Sequence, residues 1–260
     1  MAGETIETTV KMDSEAYNDL LSFITNIKDI CMDLDIRDGL VRQRSDDKNA
    51  IFEVDLSPIL PGVNMALTDL KKKLDLLKIF QGQDEVTVKI NETENGSSTY
   101  TFSDTMSSIK ILAPSLDFVD NKFMSSEELE NIFTLNEEDL ILDYDLQTMI
   151  TERIRTITAS FNVFAIQVNF DGEEASISST TPAKDQHAKL VTGMISNIDI
   201  EKSSANLSII PFSIDYDTNV LFKMYKDSGQ NVCLNLFESN LGTLAIKIFT
   251  RASLVKVDEG

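Results

Sequence analysis

Two stretches of this sequence run through the same order of elements, helix, strands, short helix, strands, each over about 110–120 residues, and a tandem duplication is the simplest account of that order. In the first stretch Leu20, Ile24 and Ile27 recur at helical spacing behind an Asp13 or Ser14 cap, which predicts a helix from Asp13 to about Ile30. Strands follow at Cys31 to Asp35, at Leu40 to Arg44 after an Asp38-Gly39 turn, and at Ala50 to Leu56. Pro58, Pro61 and Gly62 then break the chain before a second helix within 62–80, where Val63, Leu67, Leu70, Leu74 and Leu77 form an apolar stripe. Val86, Val88 and Ile90 alternate, Asn95-Gly96 marks a hairpin turn, and Ser98 to Phe102 and Ile109 to Leu112 close the unit.

The second stretch opens on a helix faced by Leu146, Met149, Ile150, Ile154, Ile157 and Phe161. Strands are expected at Val163 to Phe170, at Ala175 to Ser179 after a turn at Asp171-Gly172, at Ala188 to Gly193 and at Leu207 to Ile214. A short helix at Thr218 to Lys226 ends at Gly229, and Val232 to Phe237, Leu244 to Phe249 and Leu254 to Val257 read as the last strands. Between the halves, Ala113 to Asp143 is acidic with irregularly spaced apolar residues, which reads as a partly docked connector. The expected organisation is α+β, with domains at 1–113 and 144–260 joined by a connector at 114–143.

Charge narrows what the fold can do. The 260 residues hold 43 Asp and Glu against 23 Lys and Arg, a formal net charge of -20, so contact with a polyanion must be confined to a local basic zone. Cys31 and Cys233 each lie in apolar or alternating runs and read as small buried hydrophobes in a reducing compartment. No run is long and apolar enough for a membrane span, and Met1 to Thr9 lacks the pattern of a signal peptide, so an intracellular protein is expected. One histidine, two separated cysteines and the lack of a Gly-rich phosphate loop leave no nucleophile, zinc or nucleotide constellation. Glu137-Glu138-Asp139 reads as solvated charge. The expectation is therefore a non-enzyme without cofactor or metal. A carboxylate-based hydrolase, or a structural protein of duplicated β-rich domains without DNA contact, stands as the alternative.

Basic residues gather opposite the apolar stripes. On the second helix Lys72 points away from the stripe and Lys71, Lys73 and Lys78 flank it. On the third, Arg155 points outward with Thr148 and Thr151 beside it, while Arg153 lies nearer the stripe; on the fourth, Lys223 and Lys226 point outward. The first helix is the exception, since Asp13, Glu15, Asp19 and Asp29 outweigh Lys28. Any one of these lysines reads as a solvated charge; their repetition on successive helices suggests a row that meets phosphates without reading bases.

With this order of elements, Cys31-Met-Asp-Leu-Asp-Ile-Arg-Asp-Gly39-Leu after the first helix, Gly62-Val-Asn64 at the head of the second, Gln83-Asp-Glu-Val-Thr-Val88 after it, and the acidic Asp258-Glu-Gly260 end, the chain resembles DNA sliding clamps of the proliferating cell nuclear antigen type, the viral ones included. The resemblance implies a homotrimeric ring of two-domain subunits, each domain carrying two helices packed on antiparallel sheets, with helices lining a hole around duplex DNA. It implies a processivity factor that tethers DNA polymerase and is handled by a clamp loader, in the nucleus or cytoplasm, or the host cytoplasm for a viral clamp. The positions matching the DNA-facing ones are Lys71, Lys72, Lys73, Lys78, Arg153, Arg155, Lys223 and Lys226. The acidic first helix departs from the pattern.

The same resemblance implies pairing of the edge 107–113 of one subunit with 186–194 of the next, through Ser107, Ile109, Ile111, His187, Lys189 and Val191. It implies a pocket for short partner peptides at Leu40, Ile51, Leu116, Phe118, Val119, Leu254 and Val255.

Overall fold

The computed structural model describes residues 6–92, 98–113, 123–163, 165–181, 183, 185–227 and 231–257. The expected turn at Asn95-Gly96, the helix stop at Gly229, the pocket residues Leu116, Phe118 and Val119, and the acidic end 258–260 lie outside them. The chain divides into two compact units, one of residues 1–48, 52–126 and 241–246 and the other of residues 49–51, 127–240 and 247–260.

The first unit begins with a strand that the sequence reading did not contain, β1 (Ile6–Asp13), which leads directly into α1 (Ser14–Ile27). Asp13 is the cap: its carboxylate accepts from the Ala16 N–H at 2.9 Å. Tyr17, Leu20, Leu21, Phe23, Ile24 and Ile27 are buried on one face of α1. Then come β2 (Leu34–Arg37), β3 (Leu40–Arg44), β4 (Ala50–Asp55), β5 (Met65–Leu67) and α2 (Leu70–Leu77). Asp38 and Gly39 join β2 to β3 with φ of 51° and 76°, the two left-handed residues of a tight hairpin. β6 (Glu85–Glu92), β7 (Ser98–Ser103) and β8 (Ser108–Ala113) complete the unit. One antiparallel sheet runs β1-β6-β7-β8, and the other strands are ordered β5-β2-β3-β4.

Helix α2 is shorter than its stripe suggested. Val63 and Leu67 are buried as expected, but from a turn and from β5, since the chain becomes helical only at Leu70. Leu70, Leu74 and Leu77 carry the helical part of the stripe inward. Phe80 follows and meets Tyr17 edge to face, ring centroids 6.4 Å apart.

The second unit holds α3 (Ser126–Ile132), β9 (Leu140–Leu146), α4 (Thr148–Phe161), β10 (Ala165–Thr180), β11 (His187–Ser208), α5 (Ile210–Ser213), β12 (Val220–Asp227), β13 (Val232–Leu241) and β14 (Leu244–Lys256), apart from the few end residues assigned to the first. The connector thus contains a helix, and its acidic end is the start of β9. Strands β9, β12, β13 and β14 lie in sequence across one sheet, while β10 pairs along β11. Asp171-Gly172 is not a turn between strands: β10 continues through it, with the register shifting on both sides of Gly172, whose φ is 68°. The expected strand at 188–193 and the first part of 207–214 belong to one strand, β11, and the last two expected strands are one, β14. The apolar centre includes Phe237, stacked on Phe222 at 4.7 Å and edge-on to Phe212 at 5.4 Å.

The fourth helix is misplaced in the sequence reading. Residues 220–227 form β12, held between β9 and β13, so Lys223 and Lys226 stand on a strand, where Lys223 is opposite Asp143 and Leu236. Val220, Phe222 and Met224 are buried at period two, which overrides the helical spacing of Leu221, Met224 and Tyr225. The short helix comes earlier, at α5, with Pro211 near its start where a missing N–H is tolerated.

Helix α4 is where expected, but turned. Thr151, Ile154 and Thr158 are its buried residues, whereas Met149 is 49% exposed. Thr151 and Thr158 bond their hydroxyls to the carbonyls of Thr148 and Ile154, at 2.8 and 2.9 Å, and so present methyl groups to the core without an unpaired donor. The rotation half-buries Arg155 and exposes Arg153, the reverse of the expected order.

Candidate nucleic-acid interface

The lysine helix is positioned from its N-terminal approach. Gly62, with φ of 64°, turns the chain so that Val63 and Asn64 meet the β2–β3 hairpin: Gly39 N–H donates to the Val63 carbonyl at 2.9 Å and Asp38 N–H to Asn64 Oδ1 at 3.0 Å. This contact accounts for Gly62-Val-Asn64 as a structural motif. Asp69 then occupies the position before α2 with φ 55° and ψ 58°, and its side chain makes no capping bond to the helix. Its N–H donates to Asp33 Oδ1 at 2.9 Å, and the next N–H, of Leu70, donates to the Met32 carbonyl at 2.9 Å.

With Leu70, Leu74 and Leu77 inward, Lys71, Lys72 and Lys78 are exposed and Lys73 is half-buried. Two of the four are paired. Lys71 Nζ lies 2.8 Å from Asp29 Oδ1, and Lys72 Nζ lies 2.8 Å from Asp69 Oδ2. Hydrogen bonds from Lys71 and then Lys28 hold the Asp29 carboxyl below its usual range, and the bond from Lys72 does the same for Asp69; both lysines are shifted upward in return. Leu76 and Ile79 are exposed beside them.

The other helices do not repeat this surface. Helix α1 carries no Lys or Arg between Ser14 and Ile27. On α4 the exposed residues Met149, Glu152, Arg153, Thr156, Ala159 and Ser160 carry one charge of each sign, and Arg155 is paired with Asp215 at 3.0 Å. The basic row expected on three helices is therefore concentrated on one, because β12 removes Lys223 and Lys226 from the helical set and the rotation of α4 engages Arg155.

The two edges expected to meet between subunits are each open in their own unit. Among the described residues, strand β8 pairs with β7 alone and ends its sheet, and the segment 187–194 of β11 pairs with β10 alone. On β8, Ile111 is buried and Ile109 half-buried, while Leu112 is 74% exposed; Ser107 caps the turn before it by donating its N–H to Asp104. His187 and Lys189 are exposed and Val191 is buried; His187 Nδ1 lies 2.9 Å from Thr180 Oγ1.

Of the described pocket residues, Leu40 on β3 is half-buried, Ile51 on β4 is buried, Leu254 on β14 is half-buried and Val255 is 54% exposed. The sequence reading missed Arg42, whose Nε donates to Glu53 at 2.6 Å and whose Nη1 donates to Ser126 Oγ at 2.9 Å, fastening the end of the connector to β3. Phe123 joins the same strap, bridging Gln43 and lying under the Arg37 guanidinium at 5.1 Å from the ring centroid. A basic residue recurring every few positions on β3 was the only signal for it. Among the described residues no group of three His, Cys, Asp or Glu side chains could hold a metal ion, and no helix is long and apolar enough to cross a membrane.

No family model matches the sequence, and no curated protein sequence matches it. Similarity is found among solved structures. The proliferating cell nuclear antigen of Entamoeba histolytica superposes with a TM-score of 0.61 at 13% identity, over 94% of this chain and 98% of that one. A PCNA2-PCNA3 complex from Sulfolobus tokodaii gives 0.59 at 11% identity, over 94% and 99% of the two chains. A structure of the C-terminal region of FEN-1 bound to A. fulgidus PCNA gives 0.56 at 11% identity, over 96% and 99%.

Proposed function

We propose that this chain, which has the fold of PCNA-type DNA sliding clamps, works as one: a non-enzymatic ring that encircles duplex DNA and holds replication proteins to it. The observation that carries the reading is the extent of the likeness, 94% of this chain against 98% of the Entamoeba clamp, which leaves little of either chain to build a different machine. The open edges at β8 and at 187–194 of β11 support ring closure by strand addition between copies, three to a ring. The lysines on and just after α2 support contact with phosphates, with exposed Lys71, Lys72 and Lys78 and half-buried Lys73 as the main DNA-facing set and Arg153 as the contribution of α4. A clamp held by topology needs no tight grip, which suits a chain whose α1 is acidic. In the second unit, Leu254 and Val255 are the described positions we assign to binding of partner peptides, such as a C-terminal segment of the kind FEN-1 presents to the A. fulgidus clamp.

Light scattering and negative-stain images of the purified chain test the ring. A mass of three chains and a closed particle of six similar lobes are expected; a stable single chain at micromolar concentration overturns it. Replacing Lys71, Lys72 and Lys73 together with alanine is expected to shorten primer-extension products made with the cognate polymerase, with no change in melting temperature. Unchanged products would return those lysines to ordinary solvated charges.

A further inference from the structure

We infer that Asp29 and Asp69 are built-in counter-charges that compete with DNA phosphates for Lys71 and Lys72, an inference that rests on the clamp reading. The pairs themselves are direct: one carboxylate oxygen lies 2.8 Å from each ammonium, on side chains that remain largely open to water. Exposed pairs of this kind add little to folding stability, so stability does not explain them.

The placement of each carboxylate points the same way. Asp29 follows the C-terminal end of α1, whose last turn carries no basic residue, and a negative charge is disfavoured at the negative end of the helix dipole. Asp69 sits in left-handed backbone that asparagine or glycine would enter as easily, and an aspartate at a helix start usually turns its carboxylate onto the helix N–H groups. Here it makes no such bond and faces Lys72. Asp29 thus stands at the unfavourable end of its own helix, bridged to Lys71 and to its neighbour Lys28, and Asp69 turns its carboxylate toward Lys72 one turn along α2.

The consequence for DNA is an exchange of anions. Lys71 and Lys72 must leave a carboxylate before they take a phosphate, so each contact replaces one ion pair by another and gains little. A lysine already neutralised releases less of the counterion atmosphere of the duplex, so affinity is low and depends weakly on salt. Steps from one phosphate to the next pass through a state in which the carboxylate is waiting, which favours sliding over arrest.

The test is fluorescence anisotropy of a labelled duplex of random sequence, titrated with the unmutated chain, with Asp29→Asn plus Asp69→Asn, and with Lys71→Ala plus Lys72→Ala, across a salt series. Asp69→Gly serves as a second variant, keeping the left-handed backbone without the carboxylate. Removing both carboxylates is expected to tighten binding and to steepen the salt dependence by about 0.9 per lysine freed, or about tenfold more affinity lost over a roughly fourfold rise in salt. A slope equal to that of the unmutated chain, while the lysine variant binds more weakly, overturns this inference and leaves the clamp reading in place. If the lysine variant also binds as the unmutated chain does, α2 does not face DNA, and both the inference and that part of the clamp reading fall.

Discussion

The Tyr17 hydroxyl donates to the Leu77 carbonyl oxygen at 2.8 Å, across 60 residues of sequence, and so fastens α1 to the last turn of α2. Both groups are buried, and the carbonyl lies where α2 gives way to a single tight turn over Lys78–Phe80. Tyr17→Phe removes this buried hydrogen bond; a loss of about 1 kcal/mol is expected in urea unfolding, with an unchanged dependence on denaturant.

Alkaline pH should act through the same residue. Burial pushes the hydroxyls of Tyr17 and Tyr216 well above the ordinary phenol value of 10.0, so the folded chain keeps protons that the unfolded chain releases. Their contribution is fully present below pH 10 and is lost as pH rises above it toward the folded values. A melting temperature that falls from about pH 10 upward is expected, with a shallower fall in Tyr17→Phe.

Gly39 is closed in by backbone atoms. Its φ is 76°, and a Cβ there would lie 2.7 Å from the Leu60 carbonyl oxygen and 3.0 Å from the Ser57 Cα. Gly39→Ala should therefore destabilise the chain by about 2 kcal/mol through backbone strain and the close contact together, read as a lower midpoint in urea. Asp38→Gly, which keeps the left-handed turn, should be far milder.

Arg42 and Glu53 form a largely buried pair with a 2.6 Å contact. Arg42→Ala leaves the Glu53 carboxylate without its partner and unfastens Ser126, and a loss of about 3 kcal/mol is expected in urea unfolding. Arg42→Ala plus Glu53→Gln should recover part of that loss, because the stranded charge is gone. Proteolysis near Ser126 should accelerate in both variants, since each lacks the strap.

Leu112→Glu tests ring closure at the β8 edge. The side chain is 74% exposed, so the fold should be untouched, while a charge placed at the proposed seam should lower the mass in light scattering from three chains to one. A full-mass ring in this variant would move the seam elsewhere.

The parts of the fold that could be read from sequence are those decided by neighbours in sequence. Asp38-Gly39 specifies its turn, and Asp13 specifies the start of α1, with little help from distant contacts. The interval 218–226 was different: Leu221, Met224 and Tyr225 fit a helix face and Val220, Phe222 and Met224 fit a strand face equally well, and pairing with β9 and β13 decides between them. Strand β1 was missed for a related reason, since it is fixed by its register with β6 rather than by its own pattern. On α4 the difference lies in Thr151, which reads as an outward polar residue beside Arg155 but is buried with its hydroxyl satisfied within the helix. Lys71 and Lys72 lie on an outer face as their spacing predicts, but their partners Asp29 and Asp69 are chosen by the tertiary fold, 42 residues and three residues away.

The border of β8, unpaired among the described residues, also bears on how the purified chain will behave in the tube. A bare strand edge beside an exposed Leu112 is a template for indiscriminate stacking, and nothing in the backbone chemistry restricts it to the correct neighbour. The chain's formal charge of -20 supplies the missing restraint at low ionic strength, keeping molecules apart unless the match is good. Concentrated salt would strip that protection while leaving the sticky edge intact, so turbidity should rise with ionic strength, and dilute buffer is the condition under which the protein keeps longest.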